Sequence, residues 1–227
     1  QALAHPQGKR APVFFLHGSP AMYGYLAQAL GPDRPLAFRF SHFVKGPLHL
    51  SYTIEGFADE ALAALRQLRP TGPYNLAGYS LGATIAVEMA ARLTAQGETV
   101  EHLFLLDPAY QTPPPASAPE PLARRVRRAF GAVLSGARAA AIRQTVRAEA
   151  GTDRKWLAYV PRAYKLILSR YRPPVWDGDA TIVLSRDGAA RPGMDWLEHA
   201  LPNRTVETMS TGHLALQHDR QALAEWT

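Results

Sequence analysis

Apolar residues fall along this chain in two kinds of run. Val13-Phe14-Phe15-Leu16, Leu36 to Phe40, Tyr74 to Ala77, Val100 to Leu106, Thr181 to Ser185 and Arg204 to Met209 are short stretches that read as strands. Several are apolar almost throughout, as strands covered on both faces are. Between them the apolar positions recur at three- and four-residue spacing. Met22 to Leu30 predicts a short helix closed by Gly31-Pro32. Thr53-x-x-Gly56 opens a helix to Leu68, with Ile54, Phe57, Ala58, Ala61, Leu62, Leu65 and Leu68 on one face. Ala83 to Gln96 predicts a third helix, Met194 to Ala200 a fourth, and Leu214 begins a terminal one. Strand and helix in alternation predict an α/β fold with a mostly parallel central sheet and right-handed crossovers.

One segment breaks the rhythm. Thr112 to Pro121 holds five prolines and reads as a linker. Helical stretches follow over Leu122–Leu134, Ala137–Ala150 and Lys155–Arg170. An all-helical insertion between two sheet strands, residues 111–172, is expected to form a lid over an active site. The alternative is a helical extension that packs on the sheet and gates nothing. Charge marks the same segment. The chain carries +6 overall, but Tyr110 to Arg172 carries +10 and the remainder −4. A basic face of this kind suits an acidic partner, or is simply solvated. No nucleic-acid motif accompanies it, so nucleic acid is not the expected partner.

At 227 residues and 47 % hydrophobic, the chain is long enough for one domain with a full core. No apolar run reaches the ~18 residues of a membrane span. Gln1 to Arg10 has no signal-peptide pattern. The start lacks Met and the end falls inside the final predicted helix, as expected for a piece cut from a longer polypeptide. Cysteine is absent, which excludes disulfides and thiolate metal sites and is compatible with a cytoplasmic location. His42 and His49 share a loop without metal-ligand spacing and read as solvated.

Chemistry enters at Gly78-Tyr79-Ser80-Leu81-Gly82, a G-x-S-x-G sequence between a predicted strand and a helix. A serine hydroxyl is a weak nucleophile that must reach both a base and a carbonyl carbon. A sharp strand-to-helix turn lifts Oγ above the sheet edge, and the flanking glycines leave room where a Cβ would clash. The N–H of Leu81 opens the helix and can donate to an oxyanion. A second donor is expected where the first strand ends in His17-Gly18, at the N–H of Ser19. His17 itself reads as a residue that orients this loop.

The chain order Ser80, acid, His213 is that of α/β-hydrolases, with His213 after the last strand as the expected base. Two carboxylates can fill the middle place. Asp107 ends the strand after the elbow helix, and Asp187 follows the next strand. Asp107, on a rigid strand end, is the preferred acid and Asp187 the alternative.

The stretch Phe14 to Ala109 resembles the thioesterase domains that end nonribosomal peptide synthetases and polyketide synthases. Phe15-Leu16-His17-Gly18, Leu30 to Pro35, Thr53-Ile54-Glu55, Gly72 to Ala83, Ala86 to Ala90, Gly97 to Val100 and Leu105-Leu106-Asp107 carry the resemblance. Gly212-His213-Leu214 matches the C-terminal histidine motif. The resemblance implies an α/β-hydrolase fold and an acyl-enzyme on Ser80. It implies an acyl or peptidyl chain delivered on the phosphopantetheine of a carrier domain, upstream in the same polypeptide, and no cofactor of the enzyme's own. In this family the acid commonly follows the strand after the elbow helix, which favours Asp107. Ser19-Pro20-Ala21 departs from the family's glycine-rich loop. Two other readings stay open: a free-standing serine esterase or acyltransferase of the same fold, and a non-catalytic binding module.

Overall fold

A computed structural model describes residues 2–39, 53–109, 164, 167–190 and 195–213. The loop histidines His42 and His49, the proline linker, the predicted terminal helix and most of the predicted lid lie outside the described residues.

The strands are β1 (Ala2–Ala4), β2 (Val13–Leu16), β3 (Leu36–Arg39), β4 (Tyr74–Tyr79), β5 (Val100–Leu106), β6 (Ala180–Leu184) and β7 (Arg204–Thr208). The helices are α1 (Pro20–Leu30), α2 (Ile54–Leu68), α3 (Leu81–Ala95), α4 (Arg186–Ala189) and α5 (Asp195–Ala200). The strands form one sheet in the order β1-β3-β2-β4-β5-β6-β7. Only β1 runs antiparallel to its neighbour.

The order reverses beside β2. The chain leaves β2 toward β3, then returns across β2 to β4 and continues outward. Right-handed crossovers in opposite directions place their helices on opposite faces. The packing follows that rule. Phe15 and Phe38 pack with Met22 and Leu26 of α1 on one face. Phe14, Leu76, Leu103 and Ile182 pack with α2, α3 and α5 on the other. Alternate residues of each buried strand therefore enter different cores, and this is why the strands are apolar in sequence without a polar partner position.

Outside the lid and the terminal helix, the sequence-predicted elements are recovered with shifts of one or two residues at their ends. Helix α1 starts at Pro20 instead of Met22, because Ser19 caps it and proline is favoured in the first turn. Strand β4 continues to Tyr79, since Gly78 and Tyr79 still pair with Leu105 and Leu106. Two elements have no counterpart in the sequence reading. Strand β1 is a three-residue edge strand too short for periodicity to show. Helix α4 is a single turn capped by Ser185.

Of the segment predicted as a lid, Tyr164 and residues 167–172 are described. Ile167, Leu168 and Tyr171 are buried in the core beside α3. The Tyr171 hydroxyl donates to Glu88 of α3 at 2.9 Å, and Arg92 Nε donates to the same carboxylate at 2.7 Å. Burial and the neighbouring carboxylate push the Tyr171 phenol well above its usual range, so it stays a donor.

Register brings the strand ends level. Leu16 pairs with Gly78, Tyr79 with Leu106, Leu106 with Val183, and Leu184 with Thr208. The residues just after β2, β4, β5, β6 and β7 thus meet at one edge, the carboxyl edge, around the point where strand order reverses. Open α/β sheets bind ligands in that crevice.

Candidate active site

Ser80 sits where β4 turns into α3. Its φ of 53° and ψ of −119° lie outside the ordinary regions for a residue with a Cβ. The turn is held from both sides. The Ser80 N–H donates to the Leu106 carbonyl at 2.9 Å, and the Ser80 carbonyl accepts from Ala109 N–H at 3.0 Å. The glycines make the turn possible. A Cβ on Gly78 would lie 2.4 Å from the Gly82 carbonyl carbon, and one on Gly82 would lie 2.1 Å from the Leu16 carbonyl oxygen. The second clash is with β2, so Gly82 is what allows α3 to start against the loop after β2.

Four described helices have a serine or threonine at the N-cap. Ser19, Thr53 and Ser185 are extended there and spend their side-chain oxygen on a helix N–H. Ser80 makes no such bond. Its hydroxyl is therefore not spent on capping. Leu81 is the first residue of α3, where N–H groups lack intrahelical acceptors. Ser19 caps α1 on the neighbouring strand end, with its Oγ accepting from Met22 N–H at 3.1 Å.

Asp107 ends β5 with a φ of 46°, a conformation that Asp tolerates better than most residues. Its side chain is fully buried. A buried carboxylate requires donors. Ser185 N–H reaches Oδ1 at 3.2 Å, and Ser185 Oγ reaches Oδ2 at 2.7 Å. His213 Nδ1 also bonds to Oδ2. A carboxylate only accepts, so Nδ1 carries the proton and neutral His213 keeps its lone pair on Nε2. That tautomer can accept a proton from a hydroxyl.

His213 is fixed from a second direction by Tyr79, the residue before Ser80. The Tyr79 hydroxyl donates to the His213 carbonyl at 2.7 Å, and the two rings stack 4.9 Å apart. Tyr79 also stacks with His17, ring centroids 6.2 Å apart. Asp187, the alternative acid, stands elsewhere. Its side chain is 56 % exposed, pairs loosely with Arg186 and lies against Gly212. The structure therefore brings Asp107 and His213 together and places Asp187 outside that contact.

His17 has a φ of 65° and a buried Nδ1 with no hydrogen-bond partner among the described residues. Burial, with the charge of His213 as a smaller cause, lowers its pKa to about 4. The ring is therefore neutral near pH 7. The sign of the consequence is fixed. Below about 6.5 the unfolded chain protonates His17, while the folded protein resists until about pH 4. Stability should fall as pH drops through that window. Urea titrations at pH 7 and pH 4.5 should show a smaller difference for His17→Phe than for the wild type. An equal difference in both would show that His17 does not carry this term.

Two residues of the site escaped sequence reading. Tyr79 is a variable position of the elbow motif, and its contact with His213 spans most of the chain. Ser185 looked like the last residue of a strand, although serine followed by Arg-Asp-Gly is a recognisable helix start. Among the described residues no three His, Cys, Asp or Glu side chains are grouped to hold a metal, and no helix is long and apolar enough to cross a membrane.

Comparison with known proteins bears on the fold and the family. Solved structures with the same fold include the NocB thioesterase domain bound covalently to a fluorophosphonate nocardicin G analog. That match has 23 % identity and a TM-score of 0.67 over 98 % of this chain and 94 % of the other. An alpha/beta hydrolase from the metagenome of lagoon sediments at Mar Chica, Morocco, matches at 16 % identity and a TM-score of 0.59, over 99 % and 92 % of the two chains. At these identities the likeness establishes the α/β-hydrolase fold. In sequence, the indigoidine synthase of Dickeya dadantii (strain 3937) is 38 % identical over 109 residues, 45 % of this chain. The non-reducing polyketide synthase stmB of Aspergillus ustus is 33 % identical over 111 residues, 48 % of this chain. The chain spans only 7 % and 5 % of the length of these two relatives. The family model for the thioesterase domain matches residues 12–222, from β2 to beyond His213. With elbow, buried acid and histidine all inside that match, this chain belongs to the thioesterase domain family.

Proposed function

We propose that this domain releases an acyl or peptidyl chain from the phosphopantetheine arm of a carrier domain, through an acyl-enzyme on Ser80. The observation that carries the reading is the N-cap serine whose hydroxyl is not used for capping, beside a buried carboxylate–histidine pair. In the proposed mechanism Nε2 of His213 takes the Ser80 proton as Oγ attacks the thioester carbon. Asp107 holds the imidazole tautomer and stabilises the imidazolium. The oxyanion rests on the N–H groups of Leu81 and Ser19. The carbon–sulfur bond then breaks, the thiolate takes the proton from His213, and the carrier departs as the thiol. Water or a hydroxyl or amine within the chain attacks next, by the same base, and yields an acid or a ring.

The carrier is read as a neighbour in the same polypeptide. Relatives such as the indigoidine synthase and the polyketide synthase are far longer than this chain, which supports that reading. The basic segment from Tyr110 to Arg172 offers charge complementary to an acidic carrier and its phosphate. The insertion 111–172 leaves the sheet just after Asp107, which supports its reading as a cover for the entrance. Chemistry with serine, histidine and aspartate needs no cofactor of the enzyme's own, and a cysteine-free chain suits a cytoplasmic setting.

Incubation with an acyl-loaded carrier domain, followed by intact mass, tests this. The wild type should gain the acyl mass, and Ser80→Ala should not. Absence of any adduct or release, with small esters still turned over, would favour the free-standing esterase.

A further inference from the structure

We infer that Ser185 is a positioning residue that orients the Asp107 carboxylate, and through it His213. This rests on the reading of Asp107 as the acid of the triad. Three features of the structure support it. First, Ser185 is fully buried and makes two contacts with one carboxylate, N–H to Oδ1 at 3.2 Å and Oγ to Oδ2 at 2.7 Å. A carboxylate gripped at both oxygens cannot rotate. Second, the direction of the hydroxyl is set. Gly188 N–H donates to Ser185 Oγ at 2.9 Å, so one lone pair is engaged and the proton is turned to Asp107. Third, the turn closes directly on the acid. A Cβ on Gly188 would fall 1.8 Å from Asp107 Oδ1, so this loop and the carboxylate are packed without slack.

The position follows from topology. Asp107 follows β5 and Ser185 follows β6, and the register Leu106 with Val183 sets Asp107 level with Leu184, one residue from Ser185. The Asp107 N–H donates to the Val183 carbonyl at 2.7 Å, tying the backbones as the side chains are tied. Ser185 therefore does two things with one oxygen. It caps α4, a local role that a helix start alone would explain. It also donates to Oδ2, the same oxygen that receives His213 Nδ1. The second role predicts kinetic effects that the first does not.

The test is a double-mutant cycle on a small acyl thioester of N-acetylcysteamine, with active enzyme titrated by a fluorophosphonate. Ser185→Ala should lower kcat about 10- to 100-fold, the loss of one charge-assisted hydrogen bond, with KM within about twofold. Ser185→Cys keeps a side-chain donor, though a weak one on a larger atom, and should fall in the same range. In the Asp107→Asn background, Ser185→Ala should cost less than about twofold further, because its effect runs through that carboxylate. A wild-type kcat in both Ser185 variants would overturn the proposal, as would a full Ser185→Ala loss that persists in Asp107→Asn. A wild-type rate in Asp107→Asn itself would remove the acid reading first, and this inference with it.

Discussion

Asp107→Asn is expected to lower kcat by about 10⁴-fold, while Asp187→Asn stays within about twofold of the wild type. The two substitutions are chemically identical, and their sites are not. Asp107 is buried, with donors on both oxygens. An amide has one accepting end. If its NH₂ takes the Oδ2 place, it faces the Ser185 hydroxyl and His213 Nδ1. His213 must then accept at Nδ1 and carry its proton on Nε2, where it can no longer act as a base. If the NH₂ takes the Oδ1 place, it opposes the Ser185 N–H. In that orientation the amide oxygen still accepts from Nδ1, but two buried N–H groups oppose each other and the negative charge that stabilises the imidazolium is gone. Asp187 is 56 % exposed beside Arg186, and a surface pair of that kind contributes little. Steady-state kcat on an acyl thioester, normalised to titrated active sites, decides between them. A large loss confined to Asp187→Asn would transfer the acid's role to that residue.

Gly82→Ala is expected to destabilise the fold by about 4 kcal/mol and to lower Tm by about 10 °C. The added methyl would lie 2.1 Å from the Leu16 carbonyl oxygen and 2.6 Å from His17 Cβ. The nearest obstacle is backbone of a central strand, which cannot swing aside as a side chain can. Relief would require α3 to lift off β2, and α3 carries eleven buried residues at this interface and beyond. The same shift would move Ser80 and separate the Leu81 and Ser19 N–H groups, so activity should fall along with Tm. Gly24→Ala is the matching control. It lies in α1 with nothing within 4 Å of its Cβ position, and alanine there should stabilise slightly. Calorimetry of both variants would decide. A Tm within about 2 °C of the wild type in Gly82→Ala would mean that α3 and β2 are not packed this closely.

Much of the fold could be read before any coordinates. Continuous apolar runs marked β2, β4 and β5, and the three-and-four spacing from Ile54 to Leu68 marked α2, because both patterns are local. Element ends moved where a neighbour decided them. Tyr79 remains in β4 only because Leu106 pairs with it. Strand β1 exists only because β3 offers an edge, and three residues carry no period of their own.

The candidate site divides along the same line. The elbow was legible because its geometry is made by five adjacent residues, Gly78 to Gly82. The order of serine, acid and histidine was legible because it follows from strand order. Between Asp107 and Asp187 the sequence could state a preference, drawn from a rigid strand end and a resemblance, and no more. Each carboxylate follows a strand, and each precedes a turn.

Only the tertiary structure separated the two carboxylates. The register of β5 on β6 puts Asp107 under Ser185 and within reach of His213, and leaves Asp187 on the outer side of its own helical turn. Tyr79 and Ser185 entered the site in the same way, through hydrogen bonds to residues 134 and 78 positions away in the chain. By itself, the sequence determined which residues are candidates for chemistry and which segments can form strands and helices. Those depend on side-chain type and near neighbours. Which groups meet, and whether a carboxylate is buried or in water, depends on strand register and layer packing, which bring together parts of the chain that no local pattern links.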